Sequence, residues 1–288
     1  MLLSRIFCRF SINFLHDPLQ KRLRCGIMKK KRNEEITMVK RDLSYGTLPE
    51  QKLDFYDCGK PDAPLFVFFH GGGLEAGNKG NGDERAFLEL NEAGISVATA
   101  DYRMYPSAKF PDFIEDAALC VAWCRDHLPH SVLTVGGSSA GGYLSMMLAF
   151  DGRYLGKYGI DSSDKSHIAG YFFDAGQPTT HFNVLREGGL DTRLVRVDEA
   201  APIYFIGQPE SPETLPGYEF VVADNDMEGR LEQTELLCRT MFHVGYPDDC
   251  VTFTYMEGYT HTGYCGVVKD GRSLYADMIK AFMKRTLE

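Results

Sequence analysis

From Lys40 onward the chain alternates two apolar patterns: short β-rich runs, and longer stretches with apolar residues at helical spacing. Leu65–His70 (LFVFFH) is apolar throughout, the pattern of a central strand covered on both faces, and Gly71-Gly72-Gly73 ends it. Ile95–Asp101, Ser131–Gly136, Ile168–Asp174, Gly217–Ala223 and Val251–Met256 read as further strands. Two earlier ones are expected at Ser44–Tyr45 and Lys52–Tyr56, joined by a turn around Pro49. Between them lie helices at Asp83–Ala93, Pro111–Leu128, Ser139–Phe150, Glu228–Val244 and Gly271–Thr286. In the second of these, Phe113, Ala117, Val121, Cys124 and Leu128 fall on one face. Such β-α-β succession predicts a mainly parallel sheet with helices on both sides. Reactive loops then sit beyond the carboxyl ends of the strands.

Composition narrows the class. Of 288 residues, 44% are apolar and 25% charged, an ordinary globular balance. No run approaches the apolar length of a membrane helix, so no stable membrane insertion is expected. The net charge of −9 is unevenly spread. Residues 1–33 hold nine Lys/Arg against one acidic side chain, Asp17, while the remainder holds 22 basic and 39 acidic residues. A body this acidic is a poor surface for nucleic acid. The eight cysteines form no C-x-x-C pair, and Cys120 and Cys124 have no nearby histidine to complete a metal site. They read as small core hydrophobes in a reducing, cytoplasmic setting, and no cofactor or metal is expected. Residues 1–38 are set apart as a basic extension: a disordered or weakly helical segment, the product of a start upstream of Met28 or Met38, or a surface-targeting helix. Residues 39–288 form the expected single catalytic domain.

Four loops carry the chemistry. Gly137-Ser138-Ser139-Ala140-Gly141 is a G-x-S-x-G between an apolar strand and a helix. A nucleophilic serine needs a tight turn that projects its oxygen, with small flanking residues because the turn is crowded. A phosphate-binding turn would share the glycines, but no Lys-Ser/Thr follows. His70-Gly71-Gly72-Gly73 can turn backbone N–H groups toward an oxyanion. His70 itself is expected to bond within the loop. Asp226 follows the strand EFVV, and His261 follows the last strand. A serine hydroxyl is a feeble nucleophile until an imidazole takes its proton and a carboxylate fixes that imidazole's tautomer. The order Ser139…Asp226…His261 suits this, and the 35 residues between acid and base leave room for one helix and one strand. Asp224 is the main rival acid and Glu228 a third. His243 falls on a helix, His16 lies in the extension, and His127, His130, His167 and His181 precede the acid.

HGGG at 70–73, Asp101-Tyr102-Arg103 with Pro106, GGSSAGG at 136–142 and the Asp and His loops together resemble the α/β-hydrolase esterases. The resemblance is to the hormone-sensitive-lipase-like carboxylesterases and to the feruloyl or acetyl-xylan esterase-like and kynurenine-formamidase-like branches. It covers about residues 45–288. It implies an α/β-hydrolase fold, Ser139 as nucleophile, Asp226 as acid and His261 as base, and an oxyanion hole from the backbone N–H groups of Gly72, Gly73 and Ala140. Asp101 and Arg103 match an element that supports the oxyanion loop, and a structural ion pair is the plainer expectation for them. Leu74, where an aromatic residue is common, and Ala223-Asp224, where a glycine often precedes the acid loop, depart from the pattern.

The implied activity is hydrolysis of small-molecule carboxylic esters, short-chain or with aryl or sugar groups, through an acyl-enzyme. An arylformamidase-type amidase would share every motif, and a non-catalytic binding protein would be expected to lack a triad member. Gly176–Ile206 is long for a loop and is expected to form a small cap or pocket wall, with Phe182, Leu185 and Leu190 as candidate lining. No large lid fits, which disfavours action at oil interfaces.

Overall fold

The structure, a computed structural model, describes residues 38–81 and 84–287. The expectations for the N-terminal extension lie outside the described residues, except that Met38 opens the first strand. In chain order the elements are β1 (Met38–Ser44), β2 (Lys52–Asp57), β3 (Leu65–Phe69), α1 (Glu84–Glu92), β4 (Ser96–Ala100), α2 (Asp112–His127), β5 (Leu133–Ser138) and α3 (Ala140–Phe150). There follow α4 (Arg153–Gly156), β6 (Gly170–Asp174), α5 (Phe182–Glu187), β7 (Gly217–Asn225), α6 (Arg230–Val244), β8 (Val251–Thr260), a small hairpin of β9 (Val268–Lys269) and β10 (Arg272–Ser273), and α7 (Leu274–Leu287).

Strands β1 to β8 form one sheet in the order β1-β2-β4-β3-β5-β6-β7-β8. β1 and β2 run antiparallel, and the pairs from β4 onward are parallel. This is the mainly parallel, two-faced architecture expected. Its strands β3, β4 and β6 are buried at every position because both faces are covered. In β3, Leu65, Val67 and Phe69 enter one core with residues of α2, α3 and α6, while Phe66 and Phe68 enter a second with α1 and α7. β6 divides alike: Tyr171 and Phe173 go to the first core and Phe172 to the second, where its ring lies 5.5 Å from that of Phe282.

The largest differences from the expected strands fall at the sheet edges, and the hairpin strand β10 takes up the start of the expected helix Gly271–Thr286. β1 begins at Met38 rather than Ser44, because an exposed edge strand (MVKRDLS) carries little apolar signal. β8, at the other edge, runs four residues further than Met256, through the exposed Glu257 and Gly258 to Thr260. The segment 176–206 contains a short helix, α5, and one 3-10 turn, Pro202–Phe205. Among the described residues no helix is long and apolar enough to cross a membrane.

Candidate active site

The sheet register assembles the site. Phe69 lies beside Gly137 in the β3–β5 pair, so the loop starting at His70 emerges next to Ser138 and Ser139. Ser138 pairs with Asp174 across β5 and β6. Asn225 pairs with Thr260 across β7 and β8, which delivers Asp226 and His261 side by side.

Ser139 stands between β5 and α3 at φ 54°, ψ −110°. An L-residue held there costs on the order of 1–3 kcal/mol, offset by the packing around it. Its N–H donates to the Asp174 carbonyl at 2.7 Å and its carbonyl accepts from Tyr143 N–H at 3.0 Å. Gly141 lets α3 meet β3, since a Cβ there would lie 1.9 Å from the Phe69 carbonyl oxygen.

His261 Nδ1 lies 2.6 Å from Asp226 Oδ1, and Nε2 lies 2.8 Å from Ser139 Oγ. A carboxylate only accepts, so Nδ1 carries the hydrogen and Nε2 is free to accept from the serine hydroxyl. Met227 N–H also donates to Asp226 Oδ1, at 2.7 Å. Burial pushes the Asp226 carboxyl upward, but the His261 bond and charge, the Met227 amide and the nearby Arg230 charge outweigh it, and the group sits below its ordinary range. Arg230 is itself buried, which pulls its guanidinium down to about 10, and it donates to the Ala175 carbonyl.

Asp224 is directed elsewhere: both its carboxylate oxygens accept Gly258 N–H at 2.9 Å. Glu228 and His243 are exposed. His181 is buried and caps α5, accepting Asn183 N–H on Nδ1 at 3.2 Å. The two closest rivals for acid and base therefore have separate structural work.

The glycine loop is held from three directions. Gly72 takes φ 117°, where a Cβ would strike the Ala76 carbonyl at 1.9 Å. His70 bonds within the loop as expected, Nδ1 to the Gly71 carbonyl at 2.6 Å, and its ring stacks on Tyr102 at 4.4 Å. Burial lowers its pKa against the pull of the Gly71 carbonyl and Asp101. Tyr102 O–H donates to the His70 carbonyl at 2.9 Å. Asp101 and Arg103 do not form the ion pair expected between them. Asp101 accepts Lys79 N–H at 2.6 Å, close under His70, whereas Arg103 grips Asp116 at 2.8 Å through both Nε and Nη2. Asn183 Nδ2 donates to the Gly73 carbonyl at 2.9 Å, and Arg186 pairs with Glu75 at 2.5 Å, so α5 is docked on the loop.

A cavity of about 560 Å³ opens over these groups, bounded by the 70–77 loop, Ser139, Phe182, Met227, His261 and Cys265. Of the three expected lining residues only Phe182 faces it; Leu185 is buried and Leu190 is partly exposed. Asn183 and Asp174 were not legible as site residues. The side-chain partners that matter here, Gly73 for Asn183 and Tyr264 for Asp174, lie 110 and 90 positions away, and the local hint is a charge ending the buried strand GYFFD.

A family profile described as alpha/beta hydrolase fold matches residues 66–162. The match takes in the glycine loop and the Ser139 turn and stops before Asp226 and His261. Carboxylic ester hydrolase LipN of Mycobacterium tuberculosis is 37% identical over 102 residues, 33% of this chain and 27% of LipN. A probable isoprenylcysteine alpha-carbonyl methylesterase of Arabidopsis thaliana, ICMEL2, is 30% identical over 145 residues, 47% of this chain and 34% of that protein. The chain thus spans about a third of the length of the curated relatives it matches. Among solved structures, a truncated carbohydrate esterase from gut microbiota aligns with TM-score 0.70 at 18% identity, covering 89% of this chain and 99% of that one. An esterase of Pyrobaculum calidifontis aligns with TM-score 0.66 at 20% identity, covering 89% and 88%. At such identities the likeness is one of fold.

Proposed function

We propose that this chain, whose fold is that of the α/β hydrolases, is a serine esterase that cleaves small carboxylic esters through an acyl-enzyme. The observation that carries the reading is the unbroken line Asp226–His261–Ser139 beside a glycine loop, at 2.6 and 2.8 Å. Ser139 Oγ attacks the ester carbonyl as His261 Nε2 takes its proton. Asp226, buried and held ionised, keeps the proton on Nδ1 and steadies the imidazolium. The backbone N–H groups of Gly72, Gly73 and Ala140 receive the oxyanion, a set in which losing one donor costs about 3 kcal/mol of transition-state stabilisation. His261 then protonates the departing alkoxide, and water repeats the sequence to release the acid and restore Ser139.

The cavity suits a compact substrate. Phe182 and Met227 offer apolar contact, while Glu75 and Arg186 set a polar margin. A short acyl group with an aryl or sugar leaving group matches that mixture, and the named carbohydrate esterase and carboxylesterases support this class. The segment 176–206, with α5 on the glycine loop, acts as the small cap.

The test is a panel of aryl, alkyl and sugar esters of graded acyl length, with N-formylkynurenine alongside, and fluorophosphonate labelling with the adduct mapped. The reading expects ester turnover, an adduct on Ser139, and both lost in Ser139→Ala. Full hydrolysis by Ser139→Ala would remove the assigned nucleophile. Turnover of the formamide alone would replace the ester class with an amide.

A further inference from the structure

Asp174 ends β6 fully buried, immediately behind the Ser139 turn. Its backbone carbonyl accepts Ser139 N–H at 2.7 Å. Its carboxylate gathers donors from two separate parts of the chain. Tyr264 O–H donates to Oδ1, and Tyr275 O–H and Cys265 S–H donate to Oδ2 at 2.9 and 3.5 Å. The Ser138 backbone pairs with Asp174 across β5 and β6. Tyr264 and Cys265 belong to the turn that opens with His261, Ser138 precedes the nucleophile, and Tyr275 lies on α7. No step of the ester chemistry uses this group. A buried carboxylate is costly unless its oxygens are well supplied with donors. The supply here comes from the His261 loop and α7, while the backbone carbonyl of the same residue holds the Ser139 turn; the separation of that loop and that turn sets the distance from His261 Nε2 to Ser139 Oγ.

We propose that Asp174 is a positioning residue: its carboxylate holds the His261 loop while its backbone carbonyl holds the Ser139 turn, and so base and nucleophile stay at hydrogen-bonding distance. The inference rests on the serine-esterase reading and names a residue outside the triad on which its geometry depends. Burial pushes the Asp174 carboxyl up against the downward pull of its donors. An asparagine keeps the shape but turns one acceptor into a donor facing groups that also donate. The His261 loop then loses its hold on the residue that anchors the Ser139 turn, and a misplacement of about 1 Å in such a pair costs about 10²-fold in rate.

The experiment compares Asp174→Asn and Tyr264→Phe with the wild-type chain. Three quantities are read on folded protein: kcat and KM for an aryl acetate, the rate of fluorophosphonate labelling, and the far-downfield proton resonance of the His261–Asp226 bond, assigned by its loss in His261→Gln. Asp174→Asn is expected to lower kcat and labelling together by about 10²-fold with KM within about twofold, and to shift or broaden the resonance. Tyr264→Phe, which removes one donor from the loop, is expected to lower both rates about tenfold. If Asp174→Asn does not fold, Tyr264→Phe decides. A lower melting temperature with kcat, labelling and resonance at wild-type values would make Asp174 a packing group and overturn the proposal. The resonance belongs to the resting protein, so a chain unable to cleave esters would undo the functional reading while this test still returned its answer.

Discussion

Ser139 Oγ and His261 Nε2 lie 2.8 Å apart although 122 positions separate the two residues. The contact is a consequence of sheet order. β5 delivers Ser139 and β8 delivers His261, with β6 and β7 between them, so their loops must bend toward a common point above the carboxyl ends. Asp226 closes that span from β7, because Asn225 pairs with Thr260. Strand register thus brings the three loops to one edge of the sheet.

The two candidate acids should separate cleanly. Asp226→Asn leaves His261 facing an amide that can donate, which favours the wrong tautomer, and kcat should fall by about 10⁴-fold. Asp224→Asn disturbs the bonds to Gly258 N–H and to the Asn225 amides and should cost less than about tenfold, since none of these partners is the imidazole. Steady-state rates on one aryl ester are sufficient. The reverse ranking would move the acid to Asp224.

Gly141→Ala should damage stability more than any loop glycine of similar exposure. The new methyl would meet the Phe69 carbonyl at 1.9 Å, and both are backbone-anchored. Overpacking of this kind costs about 3 kcal/mol or more. The melting temperature should fall by about 6–12 °C. Calorimetry would check it, and an unchanged transition would mean that α3 does not approach β3 as described.

Phe182→Ala should widen the cavity on the side of Gly73, whose position its ring approaches within 3.0 Å of an added Cβ. The preference for longer over shorter acyl chains, read as a ratio of kcat/KM values, should rise about tenfold. A panel of aryl esters from acetate upward would reveal it. A ratio that stays constant would place the acyl group elsewhere.

Acid should weaken the fold in two stages. Burial holds His70 and His181 below their ordinary value of 6.5, so the unfolded chain binds more protons as the pH drops beneath it. Their contribution is complete above 6.5 and declines as the pH falls toward the lower native values, by at most about 1.4 kcal/mol per pH unit for each. Asp226 acts further down: its native value lies under 3.8, so its contribution holds above 3.8 and is lost as the pH passes through the native value. Urea midpoints between pH 7.5 and 5 should fall, with a shallower slope in His70→Gln. A flat profile would contradict the buried neutral state.

Much was legible because local chemistry leaves local traces. The all-apolar LFVFFH announces a strand with two covered faces, and G-S-S-A-G announces a turn too crowded for side chains. The edge strands were read short because a half-solvated edge needs few apolar residues, as in MVKRDLS. Asp101 and Arg103 were read as partners because they are neighbours in sequence. In the fold each meets a different cluster, Asp101 the Lys79 segment and Arg103 the first turns of α2, because partners from distant segments reach each one first.

The sequence by itself determined the alternation of strands and helices, the mainly parallel sheet, and the short list of groups able to do nucleophilic chemistry. These follow from periodicity and residue type, which act over a few positions. Only the tertiary structure decided which aspartate meets His261, which cap residue faces the cavity, and that Asp174 bonds the His261 loop through its carboxylate and the Ser139 turn through its backbone carbonyl. Those relations depend on strand register and on contacts between distant segments, and no local pattern encodes which side chains will share a buried point.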